Sequence, residues 1–397
     1  MKSIDQLDIN GKKVLIRVDF NVPTDDQGNI TDDTRIRAHL ETIRYATDKG
    51  GKVVLISHLG RPKGKRNEKY TLRPVAKRLS ELLGKTIPFS DDCVGEPAEK
   101  AVAALKAGDV VLLENLRFHA EEEKNDPGFA EQLAALGDVY IDDAFAAAHR
   151  GHASNAGITA FIKECAVGIL LKNELDYLRK ATVNPERPLV AIIGGAKVSD
   201  KIGVLKNLVE KVDAMLIGGG MAFTFIKAQG YEVGKSLCEV DMLDTAREIM
   251  EKAKQKGVKL LLPVDCIIAE RAEIDALAKE ASVQAIPSDW AALDIGPKSS
   301  ALFAEALAGA KTIVWNGPMG LFELEPFSKG TTALARAVAD SPATSIIGGG
   351  DTDTAVHQAG VSDRISYIST GGGAFLELLE GRSMPAIEAL ESCGGAQ

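Results

Sequence analysis

Four apolar runs in the second half of the chain each end in a glycine-rich loop. The runs at residues 189–193, 214–217, 345–347 and 365–368 precede GG, GGG, GGGDT and STGGG, respectively. Runs that are apolar on both faces are typical of buried parallel strands. Ligands of open α/β sheets bind at the carboxyl ends of the strands, where such loops gather. The recurrence therefore predicts an α/β fold with one shared binding site.

The loop in LVAIIGGAKVSDK, residues 189–201, is the most informative of the four. A strand, two glycines and then a helix would place free N–H groups and the positive end of a helix dipole at one point. Lys197 and Lys201 are four residues apart and are expected on one face of that helix. This arrangement suits a polyphosphate, although a tight turn with two solvated lysines explains this stretch alone equally well. The recurrence of glycine loops favours the phosphate.

Apolar runs alternate with amphipathic segments along nearly the whole chain. We predict strands at residues 13–18, 52–57, 110–113, 139–141, 189–193, 214–217, 259–263, 312–314 and 345–347, and helices at 73–83, 129–136, 168–180, 199–211 and 332–340. Parallel strands joined by crossover helices imply α/β layering. A chain of 397 residues predicts two domains. The two prolines of NPERP, residues 184–188, mark the expected boundary because they stop the preceding helix.

Composition narrows the class of protein. The formal net charge of −9 argues against a nucleic-acid partner. The N-terminal residues lack the pattern of a signal peptide, and no apolar run is long enough to span a bilayer. The five cysteines are scattered and form no CxxC pair, so we expect free thiols in a reducing cytosol and assign them no metal or catalytic role.

Arginines in the first 150 residues fall next to the ends of predicted strands. They are Arg17, Arg35, Arg61, Arg117 and Arg150, with Asp19, His58 and His149 beside them. One guanidinium group can bind two oxygens of a phosphate or carboxylate at once. The set of arginines therefore predicts a site for a small anionic substrate. For any single arginine, pairing with a local carboxylate is the better interpretation. His149 and His152 lack a third ligand at metal-site spacing, which favours local hydrogen bonding.

The sequence contains neither of two common nucleotide-binding motifs, the P-loop and GxGxxG. GYEVGKS, residues 230–236, has three residues between its glycines, whereas a P-loop has four. No GxGxxG occurs, which disfavours a nicotinamide-dependent dehydrogenase.

Ten segments in order along the chain resemble the phosphoglycerate kinase family. They are RVDFNVP (17–23), SHLGRPKG (57–64), LLENLRFH (112–119), AHRGHAS (148–154), GGAKVSDKI (194–202), GGGMA (218–222), LDIGP (293–297), VWNGPMGLFE (314–323), GGGDT (348–352) and STGGGA (369–374). The resemblance covers essentially the whole chain. It implies two Rossmann-like domains with mainly parallel sheets flanked by helices, joined by a hinge. One departure is Ala146 and Ala147, where the family usually has a glycine and often a threonine.

The resemblance also implies an activity. The family transfers a phosphoryl group reversibly and in line between 1,3-bisphosphoglycerate and ADP, with Mg²⁺ and domain closure, giving 3-phosphoglycerate and ATP in glycolysis. The implied domains are residues 1–170 for phosphoglycerate and 189–380 for the nucleotide, with 171–188 as the interdomain helix and hinge. Residues 381–397 are expected to fold back onto the first domain. A cytoplasmic monomer with no nucleic-acid or membrane partner is implied.

Roles carried over from the family follow the matching motifs. The resemblance assigns phosphoglycerate binding to Asp19, Asn21, Arg35, His58, Arg61, Arg117 and Arg150, and catalysis to Arg35, Lys197, Gly350 and Gly372. It assigns the nucleotide to Gly195, Lys197, Lys201, Gly219, Gly296, Asn316, Pro318, Glu323, Gly349, Gly350, Asp351 and Thr352, with Asp351 also contacting Mg²⁺. A nucleotide-binding regulatory protein that lost transfer is the alternative, but Arg35, Lys197 and Asp351 are all present.

Overall fold

The computed structural model describes residues 1–393, which form two compact units. The first unit contains Met1–Leu175 and the segment that starts at Ser383, and the second contains Asp176–Arg382. The chain therefore leaves the first unit once, in the middle of a helix, and returns to this unit near the C-terminus. Within the described residues, no helix is both long and apolar enough to cross a membrane.

The first unit is built on a six-stranded parallel sheet. Its strands are β1 (Lys13–Arg17), β2 (Lys52–Ile56), β3 (Phe89–Ser90), β4 (Val110–Leu113), β5 (Val139–Asp142) and β6 (Cys165–Val167), in the order β3-β4-β2-β1-β5-β6. Its helices are α1 (Thr34–Ala38), α2 (Leu40–Asp48), α3 (Arg73–Leu83), α4 (Gly95–Ala103), α5 (Ala120–Glu123), α6 (Pro127–Ala134) and, near the end of the chain, α15 (Pro385–Ser392). Helix α7 (Ile169–Thr182) starts in this unit and ends in the other.

The second unit repeats this plan and adds a small sheet. The main sheet is parallel and contains β7 (Leu189–Ile193), β8 (Ala214–Ile217), β9 (Lys259–Leu261), β13 (Thr312–Asn316), β14 (Thr344–Gly348) and β15 (Tyr367–Ser369), in the order β15-β14-β13-β7-β8-β9. An antiparallel sheet contains β10 (Asp265–Ala269), β11 (Lys279–Ser282) and β12 (Ala291–Ile295), with β10 in the middle. The helices are α8 (Ile202–Leu208), α9 (Met221–Ala228), α10 (Leu243–Lys256), α11 (Pro297–Leu307), α12 (Lys329–Asp340), α13 (Gly350–Gln358) and α14 (Gly373–Leu379).

Each main sheet has a point where the strand order reverses direction. In the first unit β1 lies between β2 and β5, and in the second β7 lies between β13 and β8. Loops that leave neighbouring strands in opposite directions open a crevice at such a point, at the carboxyl ends of the strands. The fold therefore provides one crevice in each unit.

The α/β prediction is confirmed, because both large sheets are parallel and flanked by helices. Strands β4, β7 and β8 and helix α3 have the predicted bounds. The predicted helix at 199–211 is wrong in part, since a single 3₁₀ turn at Ser199–Lys201 precedes α8. Lys197 lies in the loop before this 3₁₀ turn, so the two lysines do not share a face of one helix.

The expectation of five free thiols is also wrong. Cys165, the first residue of β6, forms a disulfide with Cys393, which follows α15, while Cys93, Cys238 and Cys266 are free. The bonded cysteines are 228 residues apart. Their pairing arises because the last helix packs against the first unit, and spacing along the chain does not reveal it.

Candidate active site

A cluster of basic side chains surrounds the carboxyl ends of β1 and β2. We define this basic cluster as Arg17, His58, Arg117, His149, Arg150 and His152. Arg17, the last residue of β1, is completely buried. Its Nε donates to Ser154 Oγ at 3.0 Å, and Ser154 Oγ donates to Glu122 at 2.5 Å. One buried carboxylate thus supports the central guanidinium of the cluster through a hydroxyl group.

His58 is held in its neutral form by this arrangement. Arg17 donates to His58 Nδ1 at 3.1 Å, so this nitrogen is an acceptor. Burial lowers the pKa of His58 well below its ordinary value; Asp19 opposes the shift, and nearby positive charges add to it. The proton of the neutral ring therefore resides on Nε2, which is available to donate to an anionic ligand.

Arg117 and Arg150 bring further positive charge to the same place. Burial lowers the pKa of Arg117 to about 10, and neighbouring arginines add to this shift. Its NH1 donates to the carbonyl of Gly60 at 2.8 Å, and its buried Nε makes no hydrogen bond among the described residues but lies 3.4 Å from Glu123 Oε1. Burial, reinforced by the guanidinium charges of the cluster, also lowers the pKa of His152 to about 3. The cluster therefore has a positive field that an anion would neutralise.

The predicted phosphoglycerate residues lie at this cluster or beside it. Arg35 NH1 donates to Asp19 Oδ2 at 2.6 Å, while 39% of the Arg35 side chain stays exposed. Asn21 Oδ1 accepts from the amide of Gly60 at 2.8 Å and so fixes the loop that carries His58 and Arg61. Arg61 is exposed and has no ion pair within residues 1–393. A carboxylate and a phosphate on one small molecule are ligands that this arrangement can bind.

The second unit contains a cavity of about 430 Å³ between the glycine loops and the small sheet. Of the predicted nucleotide residues, the lining includes Gly195, Gly219, Pro318, Glu323 and Asp351. Gly219 has a φ of +68°, and a Cβ there would lie 2.6 Å from the backbone of Gly195. Only glycine lets these two loops approach so closely. The resulting cavity has largely apolar and backbone walls, as a flat base requires.

Lys201 lies at the edge of these loops. Its Nζ donates to the carbonyl of Gly194 at 2.7 Å and to the backbone and side-chain oxygens of Asn316. Burial lowers the pKa of Lys201 to about 8, against the opposing charge of Asp351. Asn316 is itself buried and also donates to Gly348, so its side chain holds the loops together and does not line the cavity.

Four of the other predicted residues are glycines at the starts of helices. Gly349 and Gly372 precede α13 and α14 with φ values of +102° and +49°, and Gly350 is the first residue of α13. Gly296 precedes α11. Lys197 is exposed in the loop after β7. The amide groups of a helix start and its dipole favour phosphate oxygens, so α13 is suited to this role.

Thr352 stabilises the loop after β13. It is fully buried, and its Oγ1 accepts from the amide of Gly317 at 2.7 Å. We expect Thr352→Val to cost about 1–3 kcal/mol of unfolding free energy and to raise the Michaelis constant for nucleotide, because the amide of Gly317 is left unpaired. Urea denaturation and initial rates measure both effects. Thr354→Val, on an exposed position of the same helix, is the control and should change neither. Equal effects of the two substitutions would contradict this role.

Asp351 is a suitable magnesium ligand. It is exposed, lies in the first turn of α13 and lines the cavity. Mg²⁺ takes hard oxygen ligands and in nucleotide sites needs one or two carboxylates besides phosphates and water. The carboxylate of Asp351 therefore fits the ion that the resemblance implies.

The sequence alone did not assign a role to some residues at these sites. Arg17 is predicted only as one of the strand-end arginines, and its place directly after the apolar residues of β1 is the signal in the sequence for its burial. Lys235, in the segment rejected as a P-loop, lines the cavity together with Phe223 and Asp294. Burial raises the pKa of Asp294 to about 7, although it accepts from the amides of Gly330 and Ile295. Asp294 lies in the motif LDIGP and Lys235 in GYEVGKS, but neither segment by itself indicates that these side chains line a cavity.

Comparisons with known proteins agree with this description. A family model described as phosphoglycerate kinase matches residues 4–382. The phosphoglycerate kinase of Geotalea uraniireducens is 58% identical over 395 residues, which cover 99% of each chain. That of Citrifermentans bemidjiense is 57% identical with the same coverage.

Solved structures give the same result. The phosphoglycerate kinase from Coxiella burnetii has a TM-score of 0.91 and 46% identity, and that from Pyrococcus horikoshii OT3 has 0.85 and 34%. Each match covers 98% of both chains. The fold and these relatives define the protein as a phosphotransferase. More particularly, the chain belongs to the phosphoglycerate kinase family, whose activity is a step of glycolysis.

Proposed function

We propose that the protein transfers a phosphoryl group reversibly between 1,3-bisphosphoglycerate and ADP, giving 3-phosphoglycerate and ATP. The observation that carries this proposal is the buried basic cluster of the first unit. Its positive charges lie close enough together to affect one another's pKa values. Membership of the family supports the same reaction.

The basic cluster is proposed to bind the phosphoglycerate. Arg117 and Arg150 would bind its phosphate or carboxylate oxygens, His58 would donate from Nε2, and Arg61 would add an exposed guanidinium. Asp19 and Asn21 would fix the surrounding loops, and Asp19 would also orient Arg35. Because Arg35 keeps an exposed part, it is proposed to reach the acyl phosphate at the point of transfer.

The cavity of the second unit is proposed to bind the nucleotide. Gly195, Gly219 and Pro318 would contact the base, and the carboxylate of Glu323 would accept from ribose hydroxyls. Lys197 and Lys201 would contact the nucleotide phosphates, and the amides of Gly349, Gly350 and Gly372 would donate hydrogen bonds to them. Thr352, Asn316 and Gly296 would support these loops. Mg²⁺ held by Asp351 would neutralise charge on the nucleotide phosphates.

The transfer itself requires positioning and charge stabilisation more than covalent help from the protein. The attacking carboxylate oxygen of 3-phosphoglycerate is already ionised, so no general base is needed. Arg35 and Lys197 are proposed to stabilise charge on the transferring group while amides of Gly350 and Gly372 hold its oxygens. We propose direct in-line displacement, in which the phosphoryl group passes between the two substrates and no side chain accepts it.

A coupled assay tests the proposal. ATP-dependent consumption of 3-phosphoglycerate is followed as loss of NADH through glyceraldehyde-3-phosphate dehydrogenase, with and without Mg²⁺. We expect NADH loss that requires Mg²⁺. Folded protein that binds nucleotide but shows no turnover would support the regulatory alternative instead.

We also expect domain closure when both substrates are bound. Closure would exclude water and so prevent hydrolysis of the acyl phosphate. Small-angle scattering should give a smaller radius of gyration with 3-phosphoglycerate and Mg-nucleotide together than with either alone. Identical profiles under all conditions would contradict closure.

The proposal includes a location and an assembly state. We propose a cytoplasmic monomer that acts on small molecules, without nucleic-acid or membrane partners. Light scattering coupled to size-exclusion chromatography checks the mass of the particle, which should equal that of one chain.

A further inference from the structure

The disulfide Cys165–Cys393 attaches the last helix to the sheet of the first unit. Ala386, Ile387 and Leu390 of α15 are buried there. Cys165 is 7% exposed, whereas Cys393 is partly exposed in the turn after α15. The Cys393 end of the bond is therefore more exposed than the Cys165 end.

The beginning of α15 contacts the loop that carries Arg150. The amide of Ala386 donates to the carbonyl of Ala148 at 3.2 Å, and Pro385 packs against Gly151. The amide of Arg150 donates in turn to the carbonyl of Ala147 at 3.1 Å. The position of the helix is thus coupled, through one short loop, to a guanidinium of the basic cluster.

We propose that Cys165–Cys393 is a redox modification site that controls binding of the anionic substrate. When the bond is formed, α15 is fixed against the Arg150 loop. When the bond is reduced, α15 is held only by packing and by the hydrogen bond from Ala386 to Ala148, the loop is less restricted, and affinity for phosphoglycerate falls. This inference rests on the proposed function of the basic cluster. Disulfides of cytoplasmic proteins are usually transient and redox-sensing, which fits the proposed location.

The reaction is thiol–disulfide exchange with a dithiol reductant. A thiolate of the reductant attacks Cys393 Sγ, the S–S bond breaks, and Cys165 leaves as a thiolate that takes up a proton. The second thiol of the reductant then displaces Cys393, so the reductant becomes a disulfide and two thiols remain on the chain. Oxidation is the reverse reaction with a disulfide acceptor, and two electrons are transferred in each direction.

The experiment compares the full-length enzyme after oxidation by glutathione disulfide and after reduction by dithiothreitol. Alkylation under denaturing conditions followed by mass spectrometry should label all five cysteines of the reduced form, but only Cys93, Cys238 and Cys266 of the oxidised form. Reduction should raise the Michaelis constant for 3-phosphoglycerate at least about fivefold and leave that for MgATP unchanged. The reduced form should also be cleaved sooner near its C-terminus by a protease.

Two variants make the comparison specific. Cys393→Ser should show the reduced behaviour in both conditions, whereas Cys238→Ser, at a partly exposed free thiol, should keep the redox response. Labelling of Cys165 and Cys393 in the oxidised form would overturn the inference. An active enzyme whose Michaelis constant for 3-phosphoglycerate is the same in both redox states would also overturn it. An enzyme without turnover in either form would instead contradict the proposed function. In that case, direct titration with 3-phosphoglycerate, compared between the two forms, still decides whether the disulfide controls binding.

Discussion

Replacing Arg35 with alanine should lower kcat about a thousandfold while nucleotide affinity stays unchanged. Positioned arginines that stabilise charge in phosphoryl transfer contribute effects of this order. Arg35 is suited to this role because Asp19 orients its guanidinium at 2.6 Å while more than a third of the side chain remains exposed. Steady-state kinetics and nucleotide titration measure the two quantities separately.

Arg37→Ala is the matched control for this substitution. Arg37 lies on the same short helix, is exposed, and pairs with Asp33 at 2.8 Å. Its loss should leave kcat within a factor of about two, since exposed ion pairs contribute little. Arg35→Lys keeps the charge but not the planar guanidinium, so it should recover only part of the activity. A parallel loss of kcat and nucleotide affinity in Arg35→Ala would contradict a role in the transition state.

Replacing Lys201 with methionine should weaken MgATP binding about a hundredfold. This corresponds to roughly 3 kcal/mol, the upper range for hydrogen bonds to a charged group. The ammonium is proposed to follow the nucleotide phosphates and also links the loops after β7 and β13 through Gly194 and Asn316. Lys206→Met, on an exposed position of α8, is the control. Melting temperatures of both variants separate loss of binding from loss of folding.

The same lysine predicts how binding depends on pH. In the free protein burial lowers the pKa of Lys201 to about 8, so the ammonium is charged below this pH and loses its proton above it. Nucleotide phosphates raise the pKa again, and binding therefore takes up a proton above pH 8. Affinity should fall as pH rises, by up to about tenfold per pH unit. Calorimetry in buffers of different ionisation enthalpy measures the uptake.

In Lys201→Met this pH dependence should disappear. Since the phosphates of the nucleotide are fully ionised in this range, few other groups change charge on binding. If the variant keeps the proton uptake of the native protein, a different group titrates and the assignment to Lys201 is wrong.

Most strands of the parallel sheets could be predicted from the sequence because they are buried on both faces, unlike the edge strand β9. Leu189–Ile193 is fully buried and reads as a continuous apolar run, so β7 has the predicted bounds. The glycines that follow such strands also predict the position of the cavity. Gly219 is required by the close approach of two loops, and this requirement is visible as a glycine in the sequence.

Other features depend on contacts between distant segments. Strand β11 is mostly exposed and rich in charged residues, so no apolar run marks the antiparallel sheet. The support of Arg17 by Ser154 and Glu122 joins residues more than 30 positions apart. Lys197 precedes the helix because a 3₁₀ turn separates the glycines from α8, and local propensity does not distinguish these alternatives.

The path of the chain has a consequence for synthesis on the ribosome. The second unit is one continuous segment, Asp176–Arg382, and all of its strands are synthesised before α15. The first unit is interrupted, and its buried residues Ala386 and Leu390 come last. Although domains generally fold in the order of their synthesis, the unit that begins the chain is here the one whose core is completed last. Until α15 packs, the apolar surface that it covers stays exposed and can contact other molecules.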